Sequence, residues 1–406
     1  MAQQSAGAQM ANVEAALPGG VVILGGAHGT MALARSLGRQ NIPVWLISND
    51  HPLPRWSRYI KKMIRWSGPT DASAADDLLR LARTHGLEGF LLVPAADADI
   101  QFVSEHRERL AEHFRIILPA WENLKTVVEK PLLYRLAHDL DVDVPRTYEL
   151  SSVEQSRQIE FQFPVILKPD MGGGKDAFSQ AKVMRADDRA SFLQIYETAA
   201  KLVGVDSVVV QELIPGGGEN QLSYAALWYD GKPVAEFTAR RTRQYPIEFG
   251  YTSTFVEVVD EPEVSEIARR ILATIPFSGL VEIEFKRDPR NGVLKLLDVN
   301  PRPWAWFGLA AASGVDLGAM LWRKANGQPV VAATAQQNVS WMYLPRDCAA
   351  AITLWFRNRL DLRSYFRSFS TVRAWAVFER ADPLPGLIDL PLTFWRVFTK
   401  RLLKLG

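Results

Sequence analysis

Residues 279–304, GLVEIEFKRDPRNGVLKLLDVNPRPW, constrain this chain more than any other stretch. Val281, Ile283 and Phe285 alternate with Glu282 and Glu284, a period-two strand that puts both carboxylates on one face. Asp288, Pro289, Asn291 and Gly292 supply a turn, and a second strand over residues 296–300 sets Asp298 and Asn300 on a common face. A hairpin in that register gathers three or four hard oxygen ligands, with Arg302 as the nearby cation. Crowded carboxylates repel unless positive charge sits between them. Oxygen-only ligation suits magnesium, commonly shared with nucleotide phosphates. The plainer alternative is a half-exposed hairpin whose acids face water.

The 406 residues suffice for two or three domains, and 48% hydrophobic with 23% charged residues describes a globular protein. A net charge of +2 gives no general pull toward nucleic acid. The single Cys348 excludes an internal disulfide, fits a reducing compartment and reads as a packing residue. Residues 1–19 lack a cationic start and an apolar run of signal-peptide length and read as a disordered lead-in. No stretch approaches the roughly 20 apolar residues of a membrane span. A cytoplasmic protein is expected, with peripheral attachment at the inner membrane face left open.

Residues 21–24 form an apolar run, followed by Gly25, Gly26, His28 and Gly29, a helical pattern over 30–39 and a second apolar strand over 44–47 near Asp50. This βαβ opening predicts a parallel sheet. The glycines and the acid hint at a dinucleotide site, but the spacing is incomplete, and close packing of the helix explains them as well. Further strands are expected over 90–94 and 116–119. Asp97 and Asp99 lie at the carboxyl end of the former, as ligand contacts or as helix caps.

From residue 121 the pattern changes. A helix is expected with Lys130 near its middle, then a strand over 165–167 delivering Lys168 into a loop with Gly172, Gly173 and Gly174. Such a loop can bring backbone N–H groups to phosphate oxygens, although it is not a P-loop. A strand over 207–211 leads to Gln211, Glu212, Leu213, Ile214, three glycines and Glu219. An antiparallel pair turns at Asp230 and Gly231, then Arg240, Arg241 and Arg243 cluster as a solvated run or an anion clamp. Residues 310–326 read as helical. Residues 350–406 carry ten Arg or Lys against four Asp or Glu among aromatic residues, a basic surface for packing, a dimer contact or an anionic membrane.

The order Lys130, Lys168 with its glycine loop, Gln211-Glu212-Leu213-Ile214, Glu284 and Asp298-Val299-Asn300-Pro301-Arg302 resembles the parts of the ATP-grasp superfamily, over residues 120–325. The phrases SRYIKK (57–62), LVPAADADI (92–100) and VEIEF…LLDVNPRPW resemble the carboxylate–amine ligases related to D-aspartate ligase. The resemblance implies an α/β fold, α+β in the lid: a Rossmann-like pre-ATP-grasp domain over 20–120, an ATP-grasp domain over 121–330 with its lid near 146–213, and a helical, basic-aromatic extension over 331–406.

By the same resemblance Lys130, Lys168 and the glycine loop would contact ATP phosphates. Gln211, Glu212, Leu213 and Ile214 would be the hinge whose backbone pairs with adenine, and Glu219 would meet the ribose hydroxyls. Glu284, Asp298 and Asn300 would hold Mg²⁺, with Mn²⁺ as an alternative and Glu282 an open neighbour. Arg302, and Arg241 as a second cation, would steady the transferring phosphoryl group. Asp298 stands where the superfamily more often has Glu. The implied reaction joins a small-molecule carboxylic acid to an amine through an acyl phosphate, with no nucleic acid partner. A nucleotide-binding scaffold without turnover and an NAD-dependent oxidoreductase are the rival readings.

Overall fold

A computed structural model describes residues 19–26, 28–49, 53–169, 176–181, 183–247 and 252–401, without the side chains of 180, 394 and 396–401. Gly172, Gly173 and Gly174 and residues 1–18 therefore lie outside the described residues.

Four apolar or mixed segments make a parallel sheet: β1 (Val21–Leu24), β2 (Val44–Ile47), β3 (Ile60–Ile64) and β4 (Leu91–Pro94), in the order β3-β2-β1-β4. All four residues of β1 are buried, as expected of a parallel strand covered on both faces. The sequence concealed β3 because Lys61 and Lys62 occupy its middle and only Ile60 and Ile64 are buried. The strand expected over 116–119 reduces to an isolated bridge between Leu91 and Arg115, after which Pro119 has no N–H to offer a ladder.

A second, antiparallel sheet holds β5 (Thr147–Tyr148), β6 (Val165–Pro169), β7 (Met184–Ala186) and β8 (Val208–Glu212), ordered β5-β8-β6-β7. The helix Arg189–Val203 buries Phe192, Tyr196 and Ala199 in a small core of its own with Val165, Leu167 and Val210. This unit runs from residue 147 to residue 212.

The third sheet contains β9 (Gln221–Tyr229), β10 (Lys232–Tyr245), β11 (Thr252–Val259), β12 (Gly279–Arg287), β13 (Leu294–Asn300), β14 (Ser340–Met342) and β15 (Val372–Trp375). Its order is β13-β12-β9-β10-β11-β14-β15. The sequence showed β9, β10, β12 and β13, whereas β11 was passed over and β14 and β15 are too short to display alternation. Through them the C-terminal extension continues the same sheet.

Two helical expectations break where local chemistry demands it. The helix around Lys130 is two helices, Trp121–Val128 and Lys130–Asp139, because Pro131 sits in the first turn of the second and Glu129 is extended. Lys130 is thus at a helix start and not mid-helix. Likewise residues 310–326 divide into Gly308–Ala312 and Leu317–Ala325, separated by Gly314 at φ 94°.

The first sheet is locked to the third by close packing. A Cβ on Gly29, in the helix His28–Gly38, would lie 2.4 Å from the Pro303 carbonyl oxygen. The buried Trp304, Trp306 and Phe307 follow directly in that core. Gly29 therefore serves helix packing.

Candidate active site

The third sheet builds the site on β12 and β13. Their register sets Glu282 opposite Asn300 and Glu284 opposite Asp298, with a bulge just after Glu284. Asn300 Nδ2 donates to Glu284 Oε1 at 3.2 Å and to Glu282 Oε2 at 3.4 Å. Glu282 is buried and also accepts from Ser223 Oγ at 3.1 Å. Burial first, and the neighbouring Glu284 carboxylate second, push the Glu282 carboxyl well above its ordinary range.

Two further cations join Arg302 at this hairpin. Arg241 on β10 pairs with Glu284 and donates from Nε to Ser253 Oγ at 2.8 Å. Lys130 Nζ lies 2.9 Å from Asp298 Oδ2. Burial lowers the Lys130 ammonium's affinity for its proton, and the Asp298 and Glu284 carboxylates more than restore it, so it stays charged. Arg302 Nη2 donates to Asn300 Oδ1 at 3.1 Å, while its Nε reaches Asp97 Oδ1 at 2.5 Å at the carboxyl end of β4. Three cations, from a helix start, from β10 and from just beyond β13, thus meet four oxygen-bearing side chains carried by two strands. Among the described residues, no group of three His, Cys, Asp or Glu side chains is drawn together as a metal cluster.

The expected triple-arginine clamp separates, because each guanidinium has its own acid. Arg240 pairs with Glu261, Arg241 with Glu284, and Arg243 with the buried Asp347. Arg241 alone of the three faces the acidic hairpin.

The hinge approaches from the second sheet. Lys168 on β6 donates to Gln211 Oε1 at 2.8 Å. The Gln211 amide nitrogen donates to Tyr134 at 3.1 Å and to Thr147 Oγ1 at 2.9 Å. Tyr134 lies one helical turn beyond Lys130, so both expected phosphate lysines are tied into one network around β8. Glu212 spends its side chain on the Arg146 N–H (2.9 Å), Arg290 (2.9 Å) and Lys295, and its own N–H donates to the Arg146 carbonyl at 2.9 Å. Leu213 N–H is taken by the Pro164 carbonyl at 3.1 Å, and Ile214 is buried.

Sequence reasoning passed over Lys286. It sits beside Phe285 on β12, buried, and donates to the Ile214 and Gly216 carbonyls at 2.8 and 3.0 Å. Burial lowers its pKa to about 8. A lysine interrupting an otherwise apolar strand was the available signal. Tyr134 offered none, since an aromatic on a helix usually packs.

Comparison with known proteins agrees with this architecture. Residues 227–344 match the family model described as "ATP-grasp in the biosynthetic pathway with Ter operon". The chain is 22% identical over 405 residues to D-aspartate ligase of Enterococcus faecium (strain Aus0004), spanning 88% of this chain and 93% of that one. Among solved structures it superposes on N5-carboxyaminoimidazole synthetase from Staphylococcus aureus, complexed with ADP, with a TM-score of 0.60 and 15% identity over 79% of this chain and 80% of that one. A biotin carboxylase–β,γ-ATP complex from Campylobacter jejuni gives a TM-score of 0.60 and 14% identity over 79% and 74%. The chain carries the ATP-grasp fold, and along most of its length its sequence is similar to that of D-aspartate ligase.

Proposed function

We propose that this protein is an ATP-dependent carboxylate–amine ligase. The observation that carries the reading is the set of Lys130, Arg241 and Arg302 around Glu284, Asp298 and Asn300, linked through Tyr134 to the hinge Gln211, Glu212, Leu213, Ile214. The similarity to D-aspartate ligase supports the acid-plus-amine chemistry.

The oxygens of Glu284, Asp298 and Asn300, brought together by the pairing of β12 and β13, suit Mg²⁺ or Mn²⁺. Such an ion, when bound, would neutralise the triphosphate. The chain's own groups do the rest. Lys130 and Lys168 hold phosphate oxygens, the hinge backbone holds adenine, and Glu219 accepts from the ribose. A substrate carboxylate attacks the γ-phosphorus and ADP departs, leaving an acyl phosphate whose charge Arg302 and Arg241 stabilise. An amine attacks the acyl carbon, phosphate leaves with the bonding pair, and the amine's proton is released to solvent. The second sheet acts as a lid that keeps water from the acyl phosphate.

An ADP-release screen of paired acids and amines, with mass spectrometry of products, tests this. Amide formation matched one-to-one by ADP and phosphate is expected. Tight ATP binding without ADP release from any pair would favour a non-catalytic scaffold.

We also propose that the extension rests on an anionic membrane surface. Ile352, Trp355 and Phe356 share one face of the helix Leu344–Phe356, with Phe356 74% exposed, and Phe366 on the helix Leu362–Ser368 is 67% exposed. Arg357, Arg363 and Arg367 flank them. Aromatic residues edged by arginine suit a lipid interface, each cation adding about 1 kcal/mol of attraction. Among the described residues no helix is long and apolar enough to cross a membrane.

Deleting residues 350–406 would be a poor test, since it removes β15 and the buried Asp382 that accepts from Arg35 and Ser57. Phe356→Asp with Phe366→Asp is expected instead to abolish co-sedimentation with phosphatidylglycerol vesicles. Unchanged sedimentation would remove the proposal. A wild-type homodimer that the double variant converts to monomer, without vesicle binding, would assign the face to a second copy.

A further inference from the structure

The C-terminal extension touches the nucleotide site at one point. Between the helices Leu344–Phe356 and Leu362–Ser368 the chain turns at Asn358, and Arg359 projects back toward the hinge. Its Nη2 lies 3.2 Å from Glu219 Oε1, the carboxylate expected to meet the ribose. The Gly217 N–H donates to that same oxygen at 3.0 Å. Among the described residues, the hydrogen bonds to this carboxylate all end on Oε1. Glu219 is half exposed. One oxygen is therefore pinned by the protein, while Oε2 accepts no hydrogen bond among the described residues.

Gly217 makes this arrangement sterically feasible. A Cβ there would sit 2.5 Å from Glu219 Oε2 and 2.8 Å from Arg359 Nη2. Its own backbone is extended, so the glycine is needed for space. On the opposite side, buried Lys286 grips the Ile214 and Gly216 carbonyls. Residues 214–219 are held between a lysine from the central sheet and an arginine from the extension.

We infer that Arg359 is a positioning residue for nucleotide recognition: it holds Glu219 in the rotamer that accepts from the ribose hydroxyls. The extension thereby completes the ribose side of the site, in addition to the surface it presents outward. This inference rests on the ATP-grasp ligase reading. An ion pair is favoured over a neutral contact because a carboxylate on a short 3-10 turn would otherwise sample several rotamers, and ordering it beforehand lowers the entropic cost of binding. Losing one hydrogen bond to a charged group typically costs a factor of about 10 in affinity.

The test is calorimetric titration of the full chain with ATP and with 2′-deoxy-ATP, both with Mg²⁺. Wild type is expected to prefer ATP. Arg359→Ala should weaken ATP binding about tenfold and bring the two nucleotides within about twofold of each other, since Glu219, the group that senses the 2′-hydroxyl, is no longer held in place. Arg359→Lys should recover part of the preference, which a mere packing role would not produce. Arg380→Ala, an exposed arginine elsewhere on the extension, should match wild type. Thermal unfolding of each variant checks that the chain is folded, and Arg359→Gln replaces Arg359→Ala if the latter is not. A wild-type preference retained by Arg359→Ala or its Gln counterpart overturns this inference alone. A wild type that binds neither nucleotide overturns the nucleotide site and this inference with it.

Discussion

Asp298→Ala and Asn300→Ala are each expected to reduce Mg²⁺-dependent ADP release by a factor on the order of 10² to 10³ while the protein stays folded. Both side chains lie on β13, opposite the glutamates of β12, and each is engaged by a cation: Asp298 by Lys130 and Asn300 by Arg302. Removing Asp298 has two consequences. An oxygen donor disappears, and the Lys130 ammonium loses the carboxylate that keeps it charged against burial. Asn300→Ala removes a neutral donor and leaves Arg302 its second partner, Asp97. Asp298→Ala should therefore show the larger loss. Asp298→Glu should retain much of the activity, because the longer carboxylate still reaches both the lysine and a metal position and is the residue more common in the superfamily. A coupled assay for ADP, run on the acid–amine pair found by the screen and across a Mg²⁺ titration, measures all three. Thermal melting separates loss of chemistry from loss of fold. Turnover like that of the wild type in both alanine variants would remove the metal assignment.

How much of this was legible follows from sequence distance. Alternation across residues 279–300 gave the hairpin and its acidic face, because a strand's side-chain period is a local property. Two of the three cations that meet that face, Arg241 and Lys130, are 43 and 168 residues away in the chain, and no local pattern announces them. Arg240, Arg241 and Arg243 looked equivalent. Only the pairing of β10, with register shifts on either side of Arg243, sends them to three different acids. Lys130 was recognisable while its place in a helix was not, since a proline one residue on tolerates a helix start but not a helix middle. The extension read as helices with a basic, aromatic surface. Its two short strands, and Arg359 reaching Glu219, depend on tertiary neighbours that composition does not reveal.

The largest expected loss of stability lies at that junction of sheet and extension. Asp347→Ala should lower unfolding stability by about 3–5 kcal/mol. Arg243 and Asp347 are 5% and 0% exposed, joined by Nε–Oδ1 and Nη2–Oδ2 bonds of 2.9 Å each. Thr254 Oγ1 also donates to Asp347 at 2.8 Å, and Arg243 lies over the rings of Phe255 and Tyr365 at 4.1 and 5.1 Å. Truncating the acid strands a guanidinium in a site that water does not reach, and that stranded charge is what costs. The pair itself contributes less than its removal suggests, because both charges were desolvated to form it. Arg243→Met combined with Asp347→Ala should consequently be more stable than Asp347→Ala alone, an outcome that simple loss of contacts would not produce. Urea midpoints for the two variants decide it, and equal midpoints would rule out the stranded-charge account. Arg243 also donates to Ser368 at 3.1 Å, so the pair fixes the two helices that carry the Arg359 turn between them. Loosening it should weaken ATP binding in the folded protein as well, through Glu219, with the preference over 2′-deoxy-ATP falling in step.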